Sequence, residues 1–490
     1  MTTGDPGGSV APGLPPRDGR RFPALGFPNY RRFWIGGVLT NNGRWVQHVT
    51  TYFIVYRITG SAAWVGMAGF STFIPMLLTN PLAGYVSDHF DRRRVLLTTN
   101  SLGSLQAATM ALTWAAGIRN VGIWMLLLLV GGFIYGVQLP TWQSFVAECV
   151  PREHLRNAIT MNSTQFNAAR TFGPALGGLL IGTLGPGWAL ALTAVLYGPV
   201  LVALVRIDPA TLYRSRRSTE VDGQRRSSVV SDYRESIRYV LDAPGIRAAI
   251  ITVTLVSTVG QPIVQQIVVF AEEVFEVSPF WFGILGSAQG LGALMAAPVV
   301  AGELSYLRRS RIQLVATSGY GVAIVVFALA PSFWVGFGAL TMIGAMHLAS
   351  ATNLNSTVQL QVADELRGRV MAIYLMGVLG LSPFANLLMG WLISILGPRP
   401  VVAASGLIVI GGGLVLQLTG QYARLDPDRS TSSGLRPGRR TRTGGPVPRR
   451  RCRRPGTSGR VGRGSGSGCR HHGAGRRVGP RRRRGGPRWP

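Results

Sequence analysis

Apolar residues recur along this chain in runs of about twenty, separated by short polar breaks. A bilayer core about 30 Å thick needs about 20 residues of helix to cross it. The pattern therefore predicts an all-α membrane protein of about twelve transmembrane helices, grouped six and six. The first six runs are 33–56, 63–86, 95–117, 121–147, 157–184 and 188–206. The second six are 246–271, 280–301, 312–331, 333–358, 370–396 and 400–420.

The charges of the connecting loops test this count independently. On one side of the predicted helices the loops carry only the arginines Arg57, Arg119 and Arg399. The loops on the other side carry Arg92, Arg93, Arg94, Arg152, Arg156, Arg214, Arg216, Arg217, Arg225, Arg226, Arg308, Arg309, Arg311, Arg367 and Arg369. Arginine-rich loops stay in the cytoplasm. We expect a multi-pass protein of the cell membrane with both termini cytoplasmic, and the lack of an apolar stretch in the first thirty residues predicts no cleavable signal peptide.

Composition divides the chain into five regions. We predict a cytoplasmic N-terminal segment (1–32), a six-helix bundle (33–206), a cytoplasmic middle loop (207–245), a second six-helix bundle (246–420) and a disordered Arg/Gly/Pro-rich tail (421–490). Within the middle loop, Val230–Leu241 could form a short amphipathic helix, either solvated or lying on the membrane surface.

The predicted tail holds much of the positive charge. The net charge is +30, and 21 of the arginines lie in 421–490 against two aspartates. This composition could attract anionic lipids, bind RNA phosphates or reflect a shifted reading frame in a GC-rich gene. We favour the last or a passive tail and expect no nucleic-acid partner, so removal of 425–490 should leave transport intact.

The two predicted bundles are related in sequence. The stretch 172–180, Phe-Gly-Pro-Ala-Leu-Gly-Gly-Leu-Leu, recurs as 381–388, Leu-Ser-Pro-Phe-Ala-Asn-Leu-Leu. Each stretch lies in the fifth helix of its half. Parallel six-helix repeats are typical of one large class of transporters, in which the substrate binds between the halves.

A charged motif joins the second and third predicted helices. It contains Gly84, Asp88, Asp91, Arg92, Arg93 and Arg94. Its spacing resembles the signature loop of the major facilitator superfamily, although His89 stands where that family usually has arginine. Glycine permits close helix approach, and a carboxylate is favoured at the positive end of a helix. The resemblance implies a cytoplasmic latch that closes this side of the transporter, whereas ordinary positive-inside charge would explain the arginines alone.

Further motifs narrow the resemblance. Asn29–Trp34, Asn162–Ala175 and Asp364–Val370 resemble the transmembrane secretion effector branch of that superfamily, which includes the enterobactin exporter. The resemblance runs from about Asn29 to Gly420 and implies export. A second set, which resembles the antiporter motif of exporters, could be a hinge, a tight seam or a simple packing contact. That set is Gly173, Pro174, Gly177 and Gly178.

Ionisable and amide residues inside the predicted helices are candidates for substrate binding or coupling. Arg170 lies halfway along the fifth helix, where a charge costs at least about 2.5–3.5 kcal/mol on insertion scales. Central arginines with few central carboxylates favour an anionic or polar ligand, although hydrogen bonding to helix carbonyls is the alternative. The other candidates are Asn41, Arg44, Gln47, His48, Gln265 and Asn353. His48 and His347 could carry protons or be hydrogen-bonded structural residues.

The fourth helix departs from the family pattern. Gln138 and Trp142 stand where the family often has aspartate and arginine. The usual location of the charge relay is therefore in doubt.

These observations favour a proton-coupled exporter of a small molecule such as a siderophore, drug or metabolite, acting by alternating access in a bacterial inner membrane. An importer on the same fold and a transporter-like membrane sensor remain alternatives, since fold alone does not fix function. The chain has no GxxxxGK[ST] loop, and its cysteines, Cys149, Cys452 and Cys469, lack metal-ligand spacing. We therefore expect a monomer with no cofactor, no metal and no enzymatic activity, whose partners are the substrate, protons and the lipid bilayer.

Overall fold

The computed structural model of the protein describes residues 22–213, 229–302, 306–363 and 366–426. The rest of the predicted N-terminal segment and the predicted tail from residue 427 onward lie outside these ranges. Every regular element within the ranges is helical. The seven helices of the first half are α1 (Pro28–Thr59), α2 (Ala62–His89), α3 (Arg92–Ala115), α4 (Val121–Glu148), α5 (Leu155–Thr183), α6 (Pro186–Leu196) and α7 (Gly198–Arg206).

The second half contains nine helices, one of which precedes its first predicted span. They are α8 (Val229–Asp242), α9 (Pro244–Leu255), α10 (Ile267–Val269), α11 (Pro279–Ala301), α12 (Arg309–Ala328), α13 (Phe333–Gln361), α14 (Arg367–Leu379), α15 (Ser382–Leu396) and α16 (Pro398–Leu418). The pairs α6–α7 and α14–α15 each form one predicted span. The predicted seventh span corresponds to α9 together with the irregular helical turns that follow it as far as Val274.

Nine of the twelve predicted spans in the described ranges are both long enough and apolar enough to cross a membrane. The other three, α1, α3 and α5, have 32, 24 and 29 residues, so they fall short in composition and not in length. These helices carry buried amides such as Asn41, Asn100 and Gln165. Polar residues are tolerated inside a membrane where they face protein or an aqueous cavity. The candidate cavities described below lie against these three helices.

Prolines and glycines explain the breaks that the sequence prediction missed. The sixth span breaks at Tyr197, just before Gly198-Pro199, and the eleventh breaks at Gly380, just before Ser382-Pro383. Proline has no N–H group and cannot continue the hydrogen-bond ladder of a helix. The seventh span is the most irregular, because π-helical turns at Val256–Gly260 and Phe270–Val274 flank a 3-10 turn that contains Pro262.

Two seams join the halves. In the first, α5 packs on α11, and a Cβ added to Gly178 would lie 2.6 Å from the Cα atom of Gly283. In the second, α2 packs on α15, and a Cβ added to Gly390 would lie 2.8 Å from the Cα atom of Gly66. Approaches this close exclude any side chain, so only glycine fits at these positions.

We call the end of the bundle where α1 meets α2 the Gly60 end, and the end where α2 meets α3 the Arg92 end. Gly178 and Gly66 both lie in the parts of α5 and α2 nearer the Gly60 end. The described residues all fall within a single compact unit. The division into bundles 33–206 and 246–420 therefore stays a prediction about sequence-related halves, not about separate units.

Two regions predicted as polar segments, the N-terminal segment and the middle loop, contain residues that pack on the helical bundle. Helix α1 begins at Pro28, and the hydroxyl of Tyr30 donates to the Ala158 carbonyl at 2.8 Å. The predicted middle loop contains α8, and the Tyr239 hydroxyl in that helix accepts from the Ala363 N–H at 3.2 Å. Helix α8 thus packs on the second half, which neither the solvated nor the membrane-surface alternative anticipated.

The predicted start of the tail at residue 421 is too early. Tyr422–Leu425 forms a 3-10 turn in which Tyr422 and Leu425 are fully buried. The Asp426 carboxylate then accepts from both the backbone N–H and the hydroxyl of Ser310, at 3.1 and 2.8 Å. Two apolar anchors and a cap at the start of α12 make these residues part of the fold, a long-range contact that composition could not show.

A truncation series should locate the end of the fold. A chain that ends after Asp426 is expected to keep the thermal stability of the full protein, because every contact described above remains. A chain that ends after Gln421 loses the buried Tyr422 and Leu425, each of which contributes about 1.5–3 kcal/mol by burial. We expect its melting temperature in detergent to fall by several degrees. Equal melting temperatures for the two truncations would contradict this boundary.

Candidate substrate-binding cavity

A cavity of about 240 Å³ lies between the two halves. Both halves contribute to its lining, through α1, α2 and α5 on one side and the seventh span, α13, α14 and α15 on the other. The lining residues are Trp45, His48, Phe73, Arg170, Ser257, Gln261, Val264, Gln265, His347, Val378, Leu379, Ser382 and Asn386. We call this space the inter-half cavity. Its position matches the predicted location of a substrate site between two repeats.

Arg170 is the one charged side chain among the lining residues. It lies on α5 opposite Gly290 of α11, where a Cβ added to that glycine would lie 2.7 Å from the Arg170 carbonyl carbon. This approach holds the α5 backbone against the other half. Within the described ranges, Arg170 has no hydrogen-bond or ion-pair partner, and no carboxylate lines the cavity. A guanidinium with five N–H donors therefore faces the cavity without compensation.

Several amides face the same cavity with unused hydrogen-bonding capacity. Gln261 and His347 are joined by a side-chain hydrogen bond of 2.6 Å between their Nε2 atoms. The side-chain oxygens of Gln265 and Asn386 are buried without a partner in the described structure. Buried polar atoms in proteins are satisfied by protein, water or ligand. The inter-half cavity thus combines one cation with neutral donors and acceptors.

A second cavity, of about 120 Å³, lies within the first half and is lined by α1, α2, α3, α4 and α6–α7. We call it the first-half cavity. Arg44 donates to the Gln138 side-chain oxygen at 3.2 Å, and its guanidinium carbon lies 3.4 Å from the centre of the Tyr135 ring. Gln138 in turn donates to Asn100 at 2.7 Å. All of these partners are neutral, so the charge of Arg44 is also uncompensated.

The structure separates the candidate residues into groups. Arg170 and Gln265 line the inter-half cavity, Arg44 and Gln47 line the first-half cavity, and His48 lines both. Gln47 donates to Gln106 at 3.0 Å. His48 contacts the rings of Trp45 and Tyr52, at centroid distances of 5.3 and 4.6 Å. His48 therefore lies between the two polar cavities.

Two candidates lie elsewhere. Asn353 is buried between α12 and α13, where its amide donates to the Arg309 carbonyl and to Gln313, each at 3.1 Å. These helix-to-helix bonds use both of its donors and it lines neither of the two cavities, so its place in a polar lining stays a prediction. Asn41 is buried in α1, and its side-chain nitrogen has no partner in the described structure, but it lines neither of the two cavities.

Sequence reasoning missed Ser382 and Asn386 as cavity residues. Both lie in the repeat 381–388. The corresponding stretch of the first half, 172–180, has glycine at the two equivalent positions. The substitution of polar for apolar residues within a repeat was the available sign. Trp45 was also missed, since an aromatic residue in a membrane helix has no distinctive pattern.

The Gly/Pro motif in α5 serves packing on two sides. A Cβ added to Gly173 would lie 2.3 Å from the Trp45 Cβ, and one added to Gly177 would lie 3.4 Å from the Val46 Cα, so both face α1. Gly178 faces α11 instead. These close approaches fit the tight seam among the predicted alternatives, and the role of the motif in transport stays a prediction.

Part of the predicted latch is described. Asp91 is the N-cap of α3 and accepts from the Arg94 N–H at 3.1 Å. Arg92 pairs with Glu148 at 2.7 Å, and Arg93 donates to backbone carbonyls at the C-terminus of α7. These bonds tie α3 to α4 and α7. The other two latch residues, Gly84 and Asp88, lie in α2, but their contacts are outside the described part of the structure.

Polar contacts also join the halves at the Gly60 end. The Tyr56 hydroxyl donates to the Glu273 carboxylate. Arg57 lies 3.7 Å from Glu272, and Gln266 donates to the Ala62 carbonyl at 3.4 Å. Together with the two glycine seams, these contacts close the inter-half cavity toward the Gly60 end.

The two carboxylates of this closure should differ in importance. A hydrogen bond to a charged group contributes about 1.5–3 kcal/mol, whereas an exposed ion pair contributes about 0–1 kcal/mol. We therefore expect Glu273→Gln to favour opening at the Gly60 end by roughly tenfold or more, and Glu272→Gln to have little effect.

Opening can be followed by maleimide labelling of a Gln265→Cys reporter in the inter-half cavity, with a reagent that cannot cross the membrane. The native Cys452 and Cys469 are replaced by serine beforehand. Cys149 is buried, and burial raises the pKa of its thiol, so it should not react. A larger labelling increase for Glu272→Gln than for Glu273→Gln would contradict the proposed ranking.

A twelve-span helical bundle with a polar cavity between two sequence-related halves is the architecture of secondary active transporters. The sequence profile of transmembrane secretion effectors matches residues 21–422, and the chain belongs to this family of major facilitator transporters. Its members are transporters and not enzymes. The predicted family resemblance and fold class are confirmed.

Curated relatives cover most of the chain. The staphyloferrin A transporter of Staphylococcus aureus is 22% identical over 81% of this chain and 98% of its own length. The multidrug efflux pump Tap of Mycolicibacterium fortuitum is 26% identical over 69% of this chain and 84% of its own. The enterobactin exporter EntS of Citrobacter koseri is 23% identical over 75% and 83%. Membership of this transporter family, together with these bacterial relatives, makes the chain a multi-span protein of the inner membrane.

Solved structures share the fold. The D-xylose–proton symporter superposes with a TM-score of 0.62 at 14% identity, covering 80% of this chain and 97% of that one. A bacterial homologue of the lysosomal transporter Spinster, in an inward-facing and unoccupied conformation, has a TM-score of 0.59 at 15% identity over 81% and 97%. At these identities the likeness concerns the fold alone.

Proposed function

We propose that this transporter is a proton-coupled exporter of a small molecule that acts by alternating access. The observation that carries the proposal is the inter-half cavity, which both halves line and which is closed toward the Gly60 end. We expect such a cavity to exchange ligand at the Arg92 end. If the arginine-rich loops are cytoplasmic, as the positive-inside rule predicts, this is the conformation in which an exporter loads its substrate. The export activities named for the relatives Tap and EntS support the same direction.

The candidate residues receive proposed roles from their positions. Arg170 and Gln265 would hold the substrate in the inter-half cavity, with Arg44 and Gln47 next to it in the first-half cavity. His48, which lines both cavities, is the best-placed proton carrier, since its imidazole is shared by the two linings. Asn41 and Asn353 would support the helices and not contact the substrate.

The seams and the latch would then operate alternately. The glycine seam at Gly178 closes the Gly60 end in the present conformation. The latch residues Gly84, Asp88 and Asp91 to Arg94 would close the Arg92 end in the opposite conformation. We further propose that both chain termini are cytoplasmic and that the protein acts as a monomer, because the substrate site is complete within one chain.

Flux measurements in vesicles of defined orientation would test the direction and the coupling. Accumulation of small molecules is first screened in a deletion strain, and the compound that accumulates is then assayed in inverted vesicles with an imposed pH gradient. An exporter should concentrate the compound inside the inverted vesicles, and a protonophore should abolish the gradient-driven part. Import, or transport that does not respond to the pH gradient, would refute the corresponding half of the proposal. Binding without any flux would favour a sensor.

A further inference from the structure

Two cations inside the helical bundle lie close to one histidine in this protein. Arg170 lines the inter-half cavity and Arg44 lines the first-half cavity, while His48 lines both. The two cavities therefore adjoin at this residue on α1. No carboxylate lines either cavity in the described residues.

The charges of both arginines are left uncompensated. Arg170 has no partner among the described residues, and Arg44 has only the neutral Gln138 oxygen and the Tyr135 ring. A cation inside a membrane protein is normally paired with a carboxylate or with backbone carbonyls. Among the described residues, Arg44 makes one hydrogen bond of the five that a guanidinium can donate. Both groups thus retain capacity for acidic oxygens.

The neutral groups around the arginines suit the same kind of ligand. Gln261 and Gln265 can donate to an acidic group from the seventh span, and Trp45 and Phe73 supply apolar surface between the polar positions. Carboxylate and phosphate oxygens are the groups that arginine binds in a bidentate manner. A cationic ligand would instead face two like charges without a neutralising carboxylate, at a cost in binding.

We propose that the ligand of this site is an organic anion with at least two acidic groups, one bound by Arg170 and the other by Arg44, with its backbone passing His48. The inference rests on the proposed transport function and adds the charge class of the substrate. A single acidic group would compensate one arginine and leave the other unpaired. A ligand of two acidic groups compensates both, which is why the count of groups belongs to the proposal.

Binding of matched probes to the purified full-length protein tests the charge count. The probes are linear dicarboxylates of increasing length and the monoamide of each, which has nearly the same shape and one charge fewer. Affinity is measured by calorimetry and by the rise in melting temperature. At the length that spans the two arginines, we expect the dicarboxylate to bind at least about tenfold more tightly than its monoamide, because an unpaired buried charge is costly.

Three variants assign that preference to the two arginines. Arg170→Gln and Arg44→Gln should each reduce the dicarboxylate-to-monoamide ratio to near one. Gln138→Glu keeps both arginines but places a carboxylate beside Arg44, so it should also abolish the preference. Arg399→Gln is the control for the loss of one arginine, since Arg399 is exposed at the start of α16 and should behave like the wild type.

The outcomes separate this inference from the transport function. Equal binding of dicarboxylates and monoamides, no binding of any dicarboxylate, or a preference that survives in Gln138→Glu would overturn the two-group ligand. Because these are equilibrium measurements without a gradient, a negative result leaves the vesicle flux assay unaffected. Flux of a neutral or cationic compound would show a working exporter for which this inference is wrong.

Discussion

Replacing Arg170 by glutamine is expected to lower the transport of an anionic substrate by about a hundredfold or more, because removing one partner of a buried ion pair costs about 3–5 kcal/mol and each 1.4 kcal/mol is a factor of ten. Arg170 has no partner in the empty cavity, so the substrate supplies the missing charge. The variant should insert and fold normally, since no described contact is lost. The measurement is kcat/KM for uptake into inverted vesicles.

The companion variant Arg170→Lys distinguishes charge from geometry. Lysine keeps the positive charge but lacks the planar fork that binds an acidic group through two parallel hydrogen bonds. We expect intermediate activity from it and wild-type activity from the exposed control Arg399→Gln. Unchanged transport and affinity in Arg170→Gln for every anionic compound that the wild type carries would rule out this role.

The spans could be predicted because hydropathy is a local property. Each of the twelve apolar runs contains enough information to place a helix, and the loop arginines fix the order of the sides. The three spans that are too polar to pass as membrane helices by composition, α1, α3 and α5, were still predicted from their apolar runs, and the loop charges agreed with that count. Pro262 and Pro383 were also visible in the sequence as sites where a helix could break. The π-helical turns beside Pro262 have no such local sign.

Pairing between distant residues was the part that sequence could not supply. Arg44 and Gln138 were each noticed, one as a central charge and the other as a departure from the family pattern, yet their hydrogen bond joins positions 94 residues apart. Trp142, the second departure, donates to Asn162 at 2.9 Å and so serves packing. Asn353 shows the opposite case. It was predicted as a cavity residue, but its amide donates hydrogen bonds to a neighbouring helix.

The glycine seam gives the most direct test of alternating access. Gly178→Ala is expected to reduce transport strongly, because the new Cβ would lie 2.6 Å from the Gly283 Cα and the neighbouring atoms are backbone. Overpacking of this kind costs about 1–3 kcal/mol. The cost falls on the conformation closed at the Gly60 end, so the ratio of closed to open molecules should fall roughly five- to a hundredfold. Labelling of the Gln265→Cys reporter from the Gly60 side should rise accordingly.

The adjacent residue provides the matched control. A Cβ on Gly177 would lie 3.4 Å from the Val46 Cα, an ordinary contact within the first half, so Gly177→Ala should transport and label much like the wild type. Both variants make the same chemical change on the same helix, and they differ in whether the methyl group enters the seam between the halves. If the two variants lose transport equally, the motif acts through the general flexibility of α5. A loss confined to Gly178→Ala would assign the effect to closure between the halves, since only that methyl group separates α5 from α11.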